Sequence, residues 1–109
     1  MSISSLNIGV SGMRAYQSAL GSSAHNIANA STNGFTPQTT SFQENTNSGV
    51  IVNISPASQQ LASQEANQSG TDLATEITNS LQYKTGFDLS AKIVKTADEI
   101  FATLINIRK

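Results

Sequence analysis

Residues 72–107, DLATEITNSLQYKTGFDLSAKIVKTADEIFATLINI, decide how the chain folds. Leu73, Ile77, Leu81, Phe87, Ala91, Val94, Phe101 and Ile105 recur at helical spacing and predict one long helix with an apolar stripe. Ser69, Thr71 and Asp72 are candidate caps. Asp72 and Glu76 put negative charge at the positive end of the helix, and Arg108 and Lys109 put positive charge at the other. Lys84 and Asp88, Asp88 and Lys92, and Lys95 and Glu99 are opposite charges four apart, each pair contributing roughly 0.2–0.5 kcal/mol on an exposed face. One side of this helix therefore faces water and the other faces protein. At about 1.5 Å per residue it is roughly 54 Å long, too long for one partner to cover.

That partner lies at the other end, in residues 6–30, LNIGVSGMRAYQSALGSSAHNIANA. Ser4 or Ser5 can cap a helix in which Leu6, Val10, Met13, Gln17, Leu20, Ala24 and Ile27 follow alternating four- and three-residue steps. Gly9, Gly12 and Gly21 each cost about 1 kcal/mol relative to Ala, so this helix is weak alone. Together with Ala15, Ser18, Ala19, Ser22 and Ser23 they offer a small-residue surface that another helix can approach closely. Arg14 is the only fixed charge between Met1 and Gln43, which implies that protein covers most of this helix in its working state.

Asn33-Gly34 supplies a left-handed turn after the helix, Pro37 prevents its continuation, and Phe35 is expected to fold back on the last turn. Thr36 to Phe42 reads as extended. Val50, Val52 and Ile54 alternate with Ile51, Asn53 and Ser55, which predicts a short strand paired through a turn at Asn47-Ser48-Gly49. Pro56 ends it, and Ala57 to Gly70 is a linker or the start of the second helix. The expected architecture is mainly α: long antiparallel N- and C-terminal helices, a coiled-coil-like hairpin, with a short β-hairpin or irregular middle. Its three segments are 1–35, 36–70 and 71–109.

The chain has 109 residues, room for one domain. Only 6% are aromatic, Trp is absent, and Ser, Thr, Asn and Gln fill 45 positions. Such a chain lacks the large side chains of a self-sufficient core, so its missing stability is expected from partners. A formal charge of −1 with no basic cluster argues against nucleic acid. No Cys is present, so disulfides and thiolate metal sites are excluded. The N-terminus lacks the basic start and apolar run of a cleavable signal, and no run of about 18 apolar residues occurs, so export is expected by another route.

Little in the sequence points to chemistry. His25 is the sole histidine and has no second His or Cys to join it on a metal. Asp98 and Glu99 are adjacent on a helix and point about 100° apart, so they do not converge on a substrate. No serine sits in a Gly-x-Ser-x-Gly turn, and Gly9-Val10-Ser11-Gly12 lacks the strand and Lys-Ser/Thr pair of a phosphate loop. No enzyme, metal, cofactor or small-molecule substrate is expected.

Two segments carry a family resemblance. Ser11-Gly12-Met13-Arg14-Ala15 followed by Asn26-Ile27-Ala28-Asn29-Ala30-Ser31-Thr32-Asn33-Gly34-Phe35 resembles the N-terminal signature of bacterial flagellar rod and hook axial proteins. Asp72 to Ile77, then Ala91 to Ile100 and Leu104 to Ile107, resembles their C-terminal segment. The likeness covers about two thirds of the chain; Ser90 stands where the family commonly has Asn. The short middle leaves no space for a large outer domain, so the chain is most similar to the small proximal rod members.

The resemblance implies paired terminal helices assembling helically around a channel, export through the flagellar type III apparatus, and residence in the periplasm-spanning basal body. Its partners would be other axial proteins and copies of itself. The candidate assembly interface combines Leu6, Val10, Met13, Leu20 and Ile27 with Asn26, Asn29, Gly34 and Phe35 on the N-terminal side. On the C-terminal side it takes Leu73, Ile77, Leu81, Phe87, Val94, Phe101 and Ile105. The alternative reading is a helical adaptor or export chaperone of the same type III system.

Overall fold

The structure, a computed structural model, describes residues 3–45, 49–56 and 69–108. Helix α1 runs Ile3–Ala28, strands β1 and β2 run Gln38–Glu44 and Val50–Pro56, and helix α2 runs Leu73–Arg108. Among the described residues the protein is thus mainly helical, with a two-stranded antiparallel sheet between two helices, as the sequence predicts. Residues 46–48, most of the expected turn, and 57–68, most of the expected linker, lie outside the described residues.

The two helices run antiparallel and approach through their smallest residues. A Cβ placed on Gly9 would stand 2.7 Å from Val94 Cγ2, and one on Gly12 would stand 2.6 Å from Ser90 Oγ. A Cβ on Gly86 would meet the Tyr16 ring. These pairings give a continuous register in which Gly9, Gly12, Ala15, Ala19, Ser22, Ser23 and Asn26 are buried on α1. They face Glu76, Ser90 and Ala97 on α2. Ser90, the departure from the family pattern, therefore sits at the helix crossing.

This corrects the expectation that the large apolar stripes bury each other. Leu6, Val10, Met13, Leu20 and Ile27 are half-buried along the edge of the contact, while Gln17 and Ala24 are exposed. On α2 the half-buried Tyr83, Phe87, Val94 and Phe101 follow the contact, but Leu73, Ile77, Leu81 and Ile105 stand exposed. The physical reason is close approach: Gly, Ala and Ser let the backbones meet, and larger side chains are displaced to the flanks. Among the described residues the fully buried apolar set is Ala15, Ala19 and Ala97. Each contributes only about 0.8 kcal/mol, the worth of one buried methyl-sized group.

The sheet lies along α1. Phe42 is held between Tyr16 and Tyr83, at ring-centroid distances of 5.1 and 5.8 Å, and the Tyr83 hydroxyl hydrogen-bonds the Thr40 hydroxyl at 2.6 Å. Near the turn, Val50 N–H donates to Ser11 Oγ at 3.0 Å, and Gly49, with φ of 103°, lets the strand end lie against Ser11. A two-stranded ribbon is marginal in water. These aromatic and hydroxyl contacts fasten it to the helices.

The helix ends differ from expectation in one place and agree in another. Helix α1 is already formed at Ile3, so neither Ser4 nor Ser5 stands at its cap. Of the three candidates for α2, Asp72 is the cap: Thr75 N–H donates to its Oδ1 at 3.3 Å and the Thr75 hydroxyl to its Oδ2 at 2.9 Å. Of the three predicted ion pairs, Lys84–Asp88 forms, at 3.1 Å and exposed; it is the one ion pair among the described residues. Such exposed pairs gain little against side-chain entropy and water.

The molecule measures 67 × 25 × 14 Å. Its radius of gyration is 18.3 Å, against about 13 Å for a compact chain of this length. In the register set by Gly9 and Val94, α1 is exhausted near residue 100, and the last two turns of α2 continue beyond it.

The glycines make a paired test. Gly21 has no neighbouring atom within 4 Å of an added Cβ, so Gly21→Ala should stabilise the protein by up to about 1 kcal/mol through helix propensity. Gly86→Ala must displace the Tyr16 ring and should destabilise by about 1–3 kcal/mol. Urea denaturation of the two variants beside wild type reads the opposite signs.

Candidate assembly interface

The Asn26 to Phe35 stretch folds as a helix end and turn. Asn29 Nδ2 donates to the His25 carbonyl at 2.9 Å, and the Thr32 hydroxyl donates to Asn29 Oδ1 at 3.0 Å. Gly34 takes a φ of 74°, open to glycine at no steric cost. Phe35 returns onto the last turn, its ring edge-on to His25 at 5.4 Å. Its carbonyl accepts from Gly70 N–H at 2.8 Å, which brings the entry to α2 beside the exit from α1. Asn33, beside Gly34 in the turn, is exposed, and its side chain forms no hydrogen bond among the described residues.

Asn26 does something the sequence did not reveal. It is 1% exposed, and both hydrogens of its amide are used: one goes to the Gln38 carbonyl and one to Glu76 Oε1, each at 2.8 Å. Its Oδ1 accepts from Gln38 N–H at 2.8 Å. One side chain thus joins α1, β1 and α2. Glu76, read from the sequence as a helix-end charge, is 8% exposed, and its second oxygen accepts from the Ser23 hydroxyl at 2.8 Å. The Ser22 hydroxyl donates to Gln38 Oε1 at 2.9 Å, and the Thr71 hydroxyl donates to the Asn26 carbonyl at 3.1 Å. A polar cavity lined by Thr40, Thr75, Asn79 and Tyr83 adjoins this node.

Burial of a carboxylate is costly unless its oxygens are bonded. Here two side-chain donors and the first turn of α2, with its outward-pointing N–H groups, stabilise it. No buried side-chain polar atom among the described residues lacks a partner. The sequence signal that could have located Glu76 is weak: an acid in a first helical turn is ordinary, and only the topology brings Ser23 and Asn26 to it.

The predicted interface residues therefore divide into two groups. Asn26 is internal, Asn29 and Phe35 are half-buried, and Gly34 is exposed at the turn. The apolar residues of α2 dominate the surface: Leu73, Ile77, Leu81, Leu89, Ile93, Leu104, Ile105 and Ile107 are all exposed, Leu81 at 62% and Ile107 at 74%. Leu89, Ile93, Leu104 and Ile107 were not in the predicted stripe, because one stripe was drawn where the helix carries two. Ile8 on α1 and Ile51 and Ile54 on β2 add to the apolar surface.

No three His, Asp or Glu residues converge among the described residues, and no described helix is long and apolar enough to cross a membrane. Residues 62–107 match the family model described as flagellar basal body rod FlgEFG protein C-terminal. A comparison with curated proteins finds no match. The matched segment contains the α2 surface just described.

Two predictions concern the helix junction. Asn26→Ala leaves the Gln38 N–H and one Glu76 oxygen without their partner and should destabilise by about 3 kcal/mol, whereas Ser23→Ala should cost about 1 kcal/mol; urea unfolding measures both. The Asp72 carboxyl is held below its ordinary value of 3.8, first by the Thr75 hydroxyl and then by the Thr75 N–H. A depressed carboxyl stabilises the folded state above its unfolded value, and that stabilisation is lost as pH falls through the lower folded value. Thermal melts of wild type and Asp72→Asn should therefore differ at neutral pH and converge as pH falls below the ordinary carboxylate value of 3.8.

Proposed function

The match over residues 62–107 supports membership of the flagellar rod family, and on that premise we propose that the protein is a structural subunit of the basal-body rod, assembling helically through its terminal helices. The observation that carries this reading is the inversion of the fold: small residues are inside and large apolar residues outside. Monomeric proteins rarely leave broad apolar surfaces uncovered. Here eight Leu and Ile side chains of α2 are exposed while, among the described residues, the buried apolar set is three alanines. The missing burial is supplied by neighbouring subunits.

The partners on this reading are other rod proteins and copies of the same chain, within the periplasm-spanning basal body. Delivery would be through the flagellar type III apparatus. A tube grows by contacts in which one surface meets a different surface on the next subunit, so that the rotation does not close. The free end of α2 beyond α1 offers such a surface without disturbing the helix pair.

Deletion of Phe101 to Lys109 should abolish swimming while leaving expression intact. Because Phe101 also touches the helix contact, the sharper variant is Leu104→Asp with Ile107→Asp, both exposed in the single chain. It should keep wild-type helicity and melting temperature and lose motility in soft agar. Wild-type swimming overturns the rod reading. So does a purely cytoplasmic pool in a one-to-one complex with an export client, which is the behaviour of an adaptor.

A further inference from the structure

Asn33 is the one asparagine in the chain that is followed by glycine. It stands in the turn closed by Phe35 N–H donating to the Thr32 carbonyl at 3.2 Å, where Gly34 takes its left-handed φ of 74°. The Asn33 side chain is exposed and makes no hydrogen bond among the described residues, and the Gly34 N–H beside it donates none either. An unbonded side-chain amide thus adjoins an unbonded backbone nitrogen, with no Cβ on the second residue to keep them apart.

The other described asparagines are held out of such a pairing. At Asn29 both ends of the amide are bonded, Nδ2 to the His25 carbonyl and Oδ1 to the Thr32 hydroxyl, and the following Ala30 N–H donates to the Ile27 carbonyl at 3.1 Å. Asn26 is buried with its whole amide engaged. Asn7, Asn79 and Asn106 lie inside helices, where the next N–H is committed to the carbonyl four residues back. Asn45 and Asn53 precede β-branched Thr46 and Ile54, whose side chains crowd the nitrogen.

We propose that Asn33 is a site of spontaneous modification, converting to aspartate and isoaspartate with water as the co-reactant. The Gly34 backbone nitrogen gives up its proton to solvent and attacks Asn33 Cγ. The N–Cγ bond forms as the Cγ–Nδ2 bond breaks, and Nδ2 takes a proton from solvent and leaves as ammonia, closing a cyclic imide. Water then opens the ring. Addition at Cγ restores the ordinary backbone with a carboxylate side chain; addition at the Asn33 main-chain carbonyl carbon routes the backbone through Cγ and gives isoaspartate. An amide and water become a carboxylate and ammonium, and nothing is oxidised or reduced. To reach the attack geometry the peptide unit between Asn33 and Gly34 must rotate, and the bond that opposes it is the single turn bond from Phe35 to Thr32.

Either product places a negative charge in a neutral turn, and isoaspartate also adds one carbon to the ring that Thr32 and Phe35 close. Phe35 ties that turn to α1 through the His25 ring and to the entry of α2 through Gly70 N–H at 2.8 Å. The isoaspartyl chain therefore has a looser helix junction, whereas the aspartyl chain keeps its backbone geometry. None of this depends on the rod reading.

The full-length protein is incubated in mildly alkaline buffer below its melting transition, then digested and read by mass spectrometry against a zero-time sample, with isoaspartate scored by an isoaspartyl methyltransferase. Asn33 should convert ahead of every other asparagine. The isoaspartate signal should be lost in Asn33→Gln, which keeps an exposed amide in the turn but has to close a larger and slower ring, and whose circular dichroism should match wild type. Gly34→Ala should lose it as well, although the strain of that φ makes Asn33→Gln the deciding variant. The proposal is overturned if Asn33 stays intact while a peptide of residues 30–37 converts in the same buffer, if another asparagine converts first, or if Asn33→Gln retains the wild-type isoaspartate signal. Protein aged until the isoaspartyl form dominates should melt below fresh Asn33→Asp, which carries the same charge; equal melting overturns the effect on the helix junction.

Discussion

The close approach of α1 to α2 is the constraint from which the rest of the structure follows. At the crossings a glycine or a serine stands where a larger side chain would hold the backbones apart, as at Gly9 against Val94 and Gly12 against Ser90. A contact of that kind excludes Leu and Ile from its centre. They must go to the flanks, and on a molecule 14 Å thick the flanks are surface. The exposed apolar residues are thus a geometric consequence of the small-residue seam, and the same seam is why the chain has so little apolar core of its own.

A seam of Gly, Ala and Ser has a weakness: small residues are alike, and a slip of one helical turn, about 5.4 Å, would bring another set together at modest cost. The polar node removes that freedom. Asn26 donates to Glu76 and Gln38 and accepts from Gln38, so α1, α2 and β1 are fixed together at one height. Slipping would leave a buried carboxylate and a buried amide without partners, a penalty far larger than any loss of alanine contact. At the opposite end of the sheet, Ser11 and Val50 make a second tie.

The sequence disclosed the elements more readily than the contacts. Four-residue spacing in α2, the Gly34 turn, the alternation of Val50, Val52 and Ile54, and Asp72 as a cap are local signals, and local signals survive into the structure. The small-residue face of α1 is legible as the surface a second helix approaches, whereas the displacement of Leu6, Val10 and Leu20 to its edge is not, because hydrophobicity alone is a poor guide to burial there. That guide works where bulky side chains fill a core; it fails where backbones touch, since Gly and Ser carry no hydrophobic signal. Glu76 was hidden for another reason: its burial depends on Ser23 and Asn26, which are about fifty residues away and become neighbours only after the chain has turned back.

Register and surface are coupled by this arrangement. The node sits near the start of α2, and every apolar residue on its flanks is placed at a known distance along the helix from it. Any neighbour that reads those flanks therefore reads a position already fixed by Asn26 and Glu76, inside the subunit and out of its reach. A purely apolar seam could hold the helices as firmly, yet it would present the flanks at several heights relative to the sheet. An assembly whose subunits must all adopt one axial relation requires the single height, and a buried amide bonded to a carboxylate and a strand supplies it.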